Sequence, residues 1–182
     1  MASGSQLGAG DTLLKPTAES VGKLIDALNA DTEMVLVAVG ADAEALVPAV
    51  WARAAYLVQL PETATGVEAL RIVLQDVLNR GRDTALVTGA ETQGLTQETV
   101  HRMVAEYCAA GDEIWAVVPE AEVLQGHPVL LGRRMIELFL RGQKWSAANE
   151  ILAANLEHVR TMKPVDPMAT TNSGTAWKAP WD

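Results

Sequence analysis

The chain has 182 residues, 49% hydrophobic and 20% charged, and this balance predicts one folded domain. Lys and Arg total 14 against 23 Asp and Glu, so a formal net charge of -9 repels polyanions and excludes nucleic acid as an expected partner. The apolar runs are too short to span a bilayer, no basic-then-apolar leader opens the chain, and Cys108 is the single cysteine. We therefore expect a cytoplasmic protein without membrane contact, in which Cys108 is buried on a helix.

Short β-branched runs alternate with longer segments of helical period, which predicts an α/β protein with a mostly parallel sheet. The expected elements of the first half are, in order, a helix capped by Thr17 and ending near Asn29, a strand at 33–40, a helix capped by Asp42, a strand at 56–60 and a helix at 66–79. The near-continuous apolar run at 33–40 predicts a strand that is buried on both faces.

The second half continues this alternation. Its expected elements are a buried strand at 83–88, a helix opened by Thr96 and stopped by Gly111, strands at 113–118 and 128–131, helices at 133–140 and 147–154, and a strand at 158–163. These elements predict one domain over residues 1–166 and a C-terminal tail over residues 167–182, which is rich in Thr and Pro.

Residues 126–134 (GHPVLLGRR), followed by a helix, resemble the C-terminal half of the MobA-like nucleotidyltransferases. Gly-His-Pro is the signature of their molybdenum cofactor cytidylyltransferase branch. Residues 39–46 resemble the family's second strand and helix, and residues 85–89 resemble its strand that ends in Gly-Asp. The resemblance extends over residues 1–166 and implies a single-domain, Rossmann-like, three-layer α/β/α fold. It also implies transfer of a cytidylyl or guanylyl group from a nucleoside triphosphate to molybdopterin.

The sequence departs from the family in the nucleotide-binding half. Family members open with a hydrophobic strand and a Gly-rich loop, in which backbone amides, an Arg and a Lys hold the phosphates. Here the first strand is truncated and the arginine is missing. Gly4, Gly8 and Gly10 are the candidates for a residual phosphate-binding loop, or else form a flexible chain start. Lys15 replaces the family lysine only if the loop shifts its register.

The family's metal ligands are also altered. Nucleotidyl transfer needs a divalent cation held by carboxylates, because the metal offsets the charge that builds on the triphosphate. The family's Gly-Asp has become Gly89-Ala90-Glu91, which leaves Glu91 as a weak candidate metal ligand. A second family aspartate aligns with Asn172, whose neutral amide binds Mg²⁺ weakly. No catalytic residue is assigned.

The pterin-binding half retains more of the pattern. Gly126, His127 and Pro128 are candidates to contact a pterin or its phosphate, unless His127 bonds its own loop. Arg133 and Arg134 begin a helix, where free backbone N–H groups also favour an anion, so they are candidate anion ligands; the alternative is that both are solvated surface charges.

Two functions follow from this pattern. The first is a non-catalytic binding, assembly or structural subunit linked to the molybdenum cofactor or to a molybdenum hydroxylase, with a protein partner or a homo-oligomer as its working form. In that case a partner's strand or a rebuilt N-terminus fills the gap left by the first strand. The second is an active cytidylyltransferase that uses CTP, Mg²⁺ and molybdopterin with atypical ligands, Lys15 and Glu91 among them. A packing subunit without any small ligand is a third possibility.

Overall fold

The computed structural model describes residues 17–40, 43–90, 92, 95–120, 128–142 and 148–163. The α-helices in these ranges are α1 (Ala18–Asn29), α2 (Val47–Trp51), α3 (Gly66–Asn79), α4 (Gln97–Ala110), α5 (Arg133–Arg141) and α6 (Ala148–Ala153). The strands are β1 (Leu36–Val39), β2 (Tyr56–Gln59), β3 (Thr84–Val87), β4 (Ala116–Pro119), β5 (Val129–Gly132) and β6 (Val159–Met162). None of the described helices is long and apolar enough to cross a membrane.

The helix boundaries agree closely with those expected from the sequence. Thr17 caps α1 by accepting a hydrogen bond from the backbone of Ser20 at 3.1 Å, and Thr96 caps α4 by accepting from Thr99 at 3.2 Å. Gly111 ends α4 with φ 72°, a conformation that glycine adopts more readily than other residues. These predictions are confirmed.

The helix expected after Asp42 differs from its prediction. A 3-10 helix at Ala43–Leu46 comes first, and α2 follows with Pro48 in its first turn. Proline has no backbone N–H to donate to the preceding turn, so it suits the start of α2 but not the middle of one long helix. Asp42, the proposed cap, lies outside the described residues.

The strands form two hydrogen-bonded groups. β1 pairs with β2 in parallel, and the other four strands follow the order β3-β5-β4-β6. Within the larger group β4 and β6 are parallel, whereas β5 is antiparallel to both β3 and β4. Three of its four strands therefore run in one direction, and the expectation of a mostly parallel sheet is confirmed.

Helices cover both faces of the strand layer. Val117 and Leu130 pack with Met103 of α4 on one face. Their chain neighbours Val118 and Leu131 pack with α5 on the opposite face. Because successive side chains on a strand point to opposite faces, this alternation places the sheet between two helical layers. The predicted three-layer α/β/α architecture is confirmed.

The two strand groups lie in the same layer. Helix α3 packs against both β1 and β3. On the opposite face, Val37 of β1 and Leu86 of β3 pack against one core cluster, which includes Ile25 and Val100. The strand layer is therefore interrupted between β1 and β3, and among the described residues no strand fills this position. The resemblance to the MobA-like family implies a gap in the sheet, left by the truncated first strand.

The expected complete burial of β1 and β3 is wrong. Leu36 and Val37 are half-buried, and Ala38 is exposed. On β3, Thr84 is exposed and Leu86 is half-buried. By contrast, every residue of β4, which has neighbouring strands on both edges, is buried. The interruption between β1 and β3 explains this difference, because in the described part of the chain each of these strands has a hydrogen-bonded neighbour on one edge only.

The prediction that Cys108 is buried is also wrong, since its side chain is exposed on α4. The buried face of α4 contains Val100 and Met103. Cys108 comes five residues after Met103, which turns it by about 140° around the helix and away from the sheet.

Candidate functional site

Open α/β sheets bind ligands beside the carboxyl ends of their parallel strands. Glu33, which precedes β1, forms an ion pair of 2.7 Å with Arg82, which precedes β3, so the amino ends of β1 and β3 are adjacent. The opposite edge, where these two strands end, is called the carboxyl edge here. Gly40 and Gly89 follow β1 and β3 at this edge. Pro128 lies at the same edge, because β5 is antiparallel to β3 and begins where β3 ends.

The turn after β3 is held by hydroxyl groups. Thr88 Oγ1 donates a hydrogen bond to Thr92 Oγ1 at 3.0 Å, and the backbone N–H of Thr92 donates to the carbonyl of Gly89 at 3.1 Å. Gly89 is buried beneath this turn, and Ala90 is exposed. The position where the resembling family has an aspartate therefore carries a methyl group, and the neighbouring hydroxyls are neutral.

The residues described at this edge show no group of metal ligands. In the ranges that the structure describes, no three His, Cys, Asp or Glu side chains are grouped so that they could hold a metal ion. Several predicted site residues lie outside those ranges, so their roles stay predictions: Gly4, Gly8, Gly10, Lys15, Glu91, Gly126 and His127.

Arg133 has carboxylate partners within the protein. Its guanidinium contacts Asp83 at 2.5 Å and Glu137 at 3.0 Å. The hydrogen bonds that Arg133 donates to Glu137 and then to Asp83 raise the pKa of Arg133 above its ordinary value. The side chain is nevertheless 58% exposed, so these are surface ion pairs. An anion bound at Arg133 would compete with both carboxylates.

Arg134 lies over an aromatic pair. Its guanidinium is 5.6 Å from the ring centre of Trp115, and that ring stacks on His158 with centroids 3.5 Å apart. His158 Nδ1–H donates to the carbonyl oxygen of Glu113 at 2.8 Å, which holds the imidazole against the tryptophan. The indole Nε1 of Trp115 is buried, and none of the described residues accepts a hydrogen bond from it. The sequence did not indicate this group of three side chains, because Arg134, Trp115 and His158 come from three distant segments.

The structure separates the predicted pterin-side residues. Pro128 lies at the carboxyl edge, whereas Arg133 and Arg134 follow β5 and lie at the opposite edge, beside the starts of β3 and β4. A four-residue strand spans about 13 Å at 3.3 Å per residue, so this is the approximate separation of the two ends of β5. Pro128 and the two arginines are therefore not brought together. The anion-binding roles of Arg133 and Arg134 stay predictions.

Arg71 is a structural residue that joins helices α3 and α5. Its guanidinium donates two hydrogen bonds to the carbonyl of Phe139, at 3.1 and 2.9 Å, and another to the carbonyl of Gly142. The last carbonyls of a helix have no partners within the helix, and here Arg71 of α3 satisfies them for α5. This contact fastens the end of α5 to α3.

A shallow groove of about 600 Å³ lies along α3 and β2, remote from the Thr88–Thr92 turn. Leu57, Val58 and Ile72 supply apolar surface there, and Asp76 pairs with Arg80 at 2.8 Å. Arg71 also lines the groove, and its guanidinium is bonded to the carbonyls of Phe139 and Gly142.

Comparison with known proteins identifies the fold. Neither a protein-family model nor a curated protein matches the chain in sequence. Among solved structures, Rv0371c of Mycobacterium tuberculosis H37Rv is similar with a TM-score of 0.63 and 17% identity, covering 81% of this chain and 77% of that one. The same protein in complex with manganese gives 0.62 and 17%, covering 87% and 88%.

A third match is the 4-diphosphocytidyl-2C-methyl-D-erythritol synthase of Anaerococcus prevotii DSM 20548. Its TM-score is 0.59 at 10% identity, with coverage of 85% of this chain and 80% of the synthase. The chain has a nucleotidyltransferase fold. A Desulfovibrio desulfuricans G20 protein described as a nucleotide-diphospho-sugar transferase agrees with this result, at a TM-score of 0.57 and 13% identity over 80% of this chain and 65% of that one.

Proposed function

We propose that this nucleotidyltransferase-fold protein is a non-catalytic binding or assembly subunit associated with the molybdenum cofactor or with a molybdenum hydroxylase. The observation that carries the proposal is the turn after β3. At the carboxyl edge it offers the hydroxyls of Thr88 and Thr92, which bond to each other, and the methyl group of Ala90. Two hydroxyls and a methyl group supply no carboxylate, and the divalent cation that nucleotidyl transfer needs is normally held by at least one carboxylate.

Electrostatics supports the same proposal. The chain carries a formal net charge of -9, and a triphosphate is itself a polyanion. Without a bound metal or a cluster of cations, the field of such a protein repels the nucleotide. A protein that works without the nucleotide has no need to overcome this repulsion.

The link to molybdenum rests on the Gly126-His127-Pro128 signature, which resembles the cytidylyltransferase branch of the MobA-like family. The chain keeps this motif of the pterin-binding half, whereas its nucleotide-binding half is altered. This combination is what we expect of a protein that still contacts the molybdenum cofactor or its carrier but no longer uses the nucleotide. A molybdenum hydroxylase is the partner that such a subunit would serve. Mixing the purified proteins and measuring the sedimentation of the complex tests this association, and separate sedimentation of the two contradicts it.

Nucleotide binding tests the non-catalytic role directly. Isothermal titration with CTP, in the presence of Mg²⁺ and then of Mn²⁺, should give no binding heat at millimolar nucleotide. Ala90→Asp restores the family's carboxylate at the turn, and Ala90→Asn is its neutral control. If Ala90→Asp alone gains metal-dependent binding heat, the missing carboxylate at residue 90 accounts for the loss of nucleotide binding. Micromolar binding by the unmodified protein contradicts the proposal.

The competing proposal is an active cytidylyltransferase that uses Lys15 for the phosphates and Glu91 for the metal. It predicts pyrophosphate release from CTP when molybdopterin is present, and loss of that release in Lys15→Met and Glu91→Gln. The non-catalytic proposal predicts no release from any of the three proteins.

A further inference from the structure

Along one edge of β1, the backbone groups have no strand partner among the described residues. The carbonyls of Val35 and Val39 accept hydrogen bonds from Tyr56 and Leu60, at 2.9 and 2.8 Å, so alternate residues of β1 direct their backbone groups toward β2. The residues between them, Leu36 and Ala38, must direct their N–H and C=O groups to the other edge. Within the described part of the chain, that edge has no strand.

The edge of β3 that faces β1 also has backbone groups without a strand partner among the described residues. Gly132 donates its N–H to Trp115 at 2.8 Å, so Gly132 and, two residues earlier, Leu130 direct their backbone groups toward β4. The alternate residues of β5 bond to Ala85 and Val87 of β3. Thr84 and Leu86 consequently direct their N–H and C=O groups away from β5 and toward β1. We call the space between these two edges the strand slot.

The strand slot is covered on both faces. Helix α3 packs against β1 and β3 from one side, and Val37 and Leu86 share one helix-covered cluster on the other. At its amino end the Glu33–Arg82 ion pair crosses from one strand group to the other. The slot therefore lies within the plane of the sheet, and an extended chain placed in it would have hydrogen-bonding edges on both sides.

The described strands are each four residues long, which gives the length of segment that the slot can pair. A strand at the centre of such a sheet is buried on both faces, so it needs a near-continuous run of apolar residues. Residues 1–16, 164–182 and the shorter segments outside the described ranges contain no run of four apolar residues. This composition argues against these segments as the occupant.

We propose that the strand slot binds an extended segment of a different polypeptide, with about four consecutive Val, Ile or Leu residues flanked by Lys or Arg. Main-chain hydrogen bonds to both edges supply the attachment, as in other cases of strand addition. The net charge of -9 favours the basic flanks. In the proposed assembly role, the slot would be the surface that binds the partner. The proposal of a strand slot rests on the sheet geometry and not on the molybdenum link.

The probe is a fluorescein-labelled peptide, Lys-Lys-Val-Ile-Val-Ile-Lys-Lys. In the control peptide, proline replaces the second valine. Fluorescence anisotropy should show saturable binding of the first peptide and none of the second. Ala38→Pro removes an N–H that faces the slot and should weaken binding at least about tenfold. Gln59→Pro is the matched control, because Gln59 is exposed on β2 and its N–H faces away from β1.

Hydrogen exchange on the unmodified protein provides a second measurement that does not depend on the folding of any variant. Peptide binding should slow exchange of the amides of Leu36, Ala38 and Leu86, and leave Gln59 unchanged. Equal peptide affinity in Ala38→Pro and the unmodified protein overturns the proposal. Full protection of the same amides in the isolated monomer also overturns it, because the slot would then be filled by the chain itself. Neither result depends on the CTP titration, so this proposal and the non-catalytic role can fail separately.

Discussion

The hydroxyl of Tyr107 lies against the backbone of Gly132, in the space that a Cβ atom at residue 132 would occupy. Gly132 ends β5 and has φ -83°, which any residue can adopt. Glycine is therefore required here for the close approach of the ring and not for its backbone freedom. The Tyr107 ring can occupy this position only because residue 132 has no side chain.

Gly132→Ala should lower the free energy of unfolding by about 1–3 kcal/mol, because the new methyl group overlaps the Tyr107 side chain. Urea denaturation measures the change. Gly40→Ala is the matched control, since no atom lies within 4 Å of its added Cβ. Adding Tyr107→Phe to Gly132→Ala should recover only part of the loss, because the ring carbon Cζ is still 2.7 Å from the new methyl. Equal stability of the two alanine variants would contradict the contact.

Tyr107 should also make the protein sensitive to alkaline pH. Burial raises the pKa of Tyr107 above its ordinary value of about 10, and a hydrogen bond with Thr84 opposes this only partly. Between the two pKa values the unfolded chain has lost the proton that the folded protein keeps, so the stability decreases as pH rises above about 10. Tyr107→Phe should make this decrease shallower. Thermal unfolding at a series of pH values measures it, with Tyr56→Phe at an exposed ring as the control; an unchanged slope in Tyr107→Phe contradicts the argument.

Arg71→Lys should destabilise the protein by about 1–3 kcal/mol. A lysine ammonium cannot reproduce the guanidinium fork that reaches the carbonyls of Phe139 and Gly142 together, and these carbonyls at the end of α5 are partly buried. Urea denaturation compares this variant with Arg102→Lys, an exposed position on α4. If both substitutions have the same small effect, Arg71 does not fasten α5.

Cys108 should react in the folded protein, because its side chain is exposed on α4. An aromatic disulfide reagent should modify one thiol per chain without denaturant, at a rate within about tenfold of the rate in urea. The Cys108→Ser variant has no thiol, so it measures the background signal of the reagent. A thiol that reacts only after unfolding would restore the interpretation that the residue is buried.

The local elements followed from the sequence with good accuracy. The Thr17 and Thr96 caps and the bounds of α3 depend on hydrogen bonds and apolar spacing within a few residues, which the sequence displays directly. The extent of burial did not follow so well. The apolar runs of β1 and β3 predicted strands that are covered on every side, but burial also requires a neighbouring strand on each edge, which composition alone does not reveal.

The sequence by itself determined the order of helices and strands, the α/β class and the altered chemistry of the Gly89-Ala90 turn, because each depends on residues that are adjacent in the chain. Only the tertiary structure decided that β5 runs against its neighbours, so that Pro128 and Arg133 lie at opposite edges of the sheet. It alone showed the backbone edges of Leu36 and Leu86 facing a common slot. Strand direction and pairing depend on contacts between segments far apart in the chain, and those contacts leave no periodic signal within either segment.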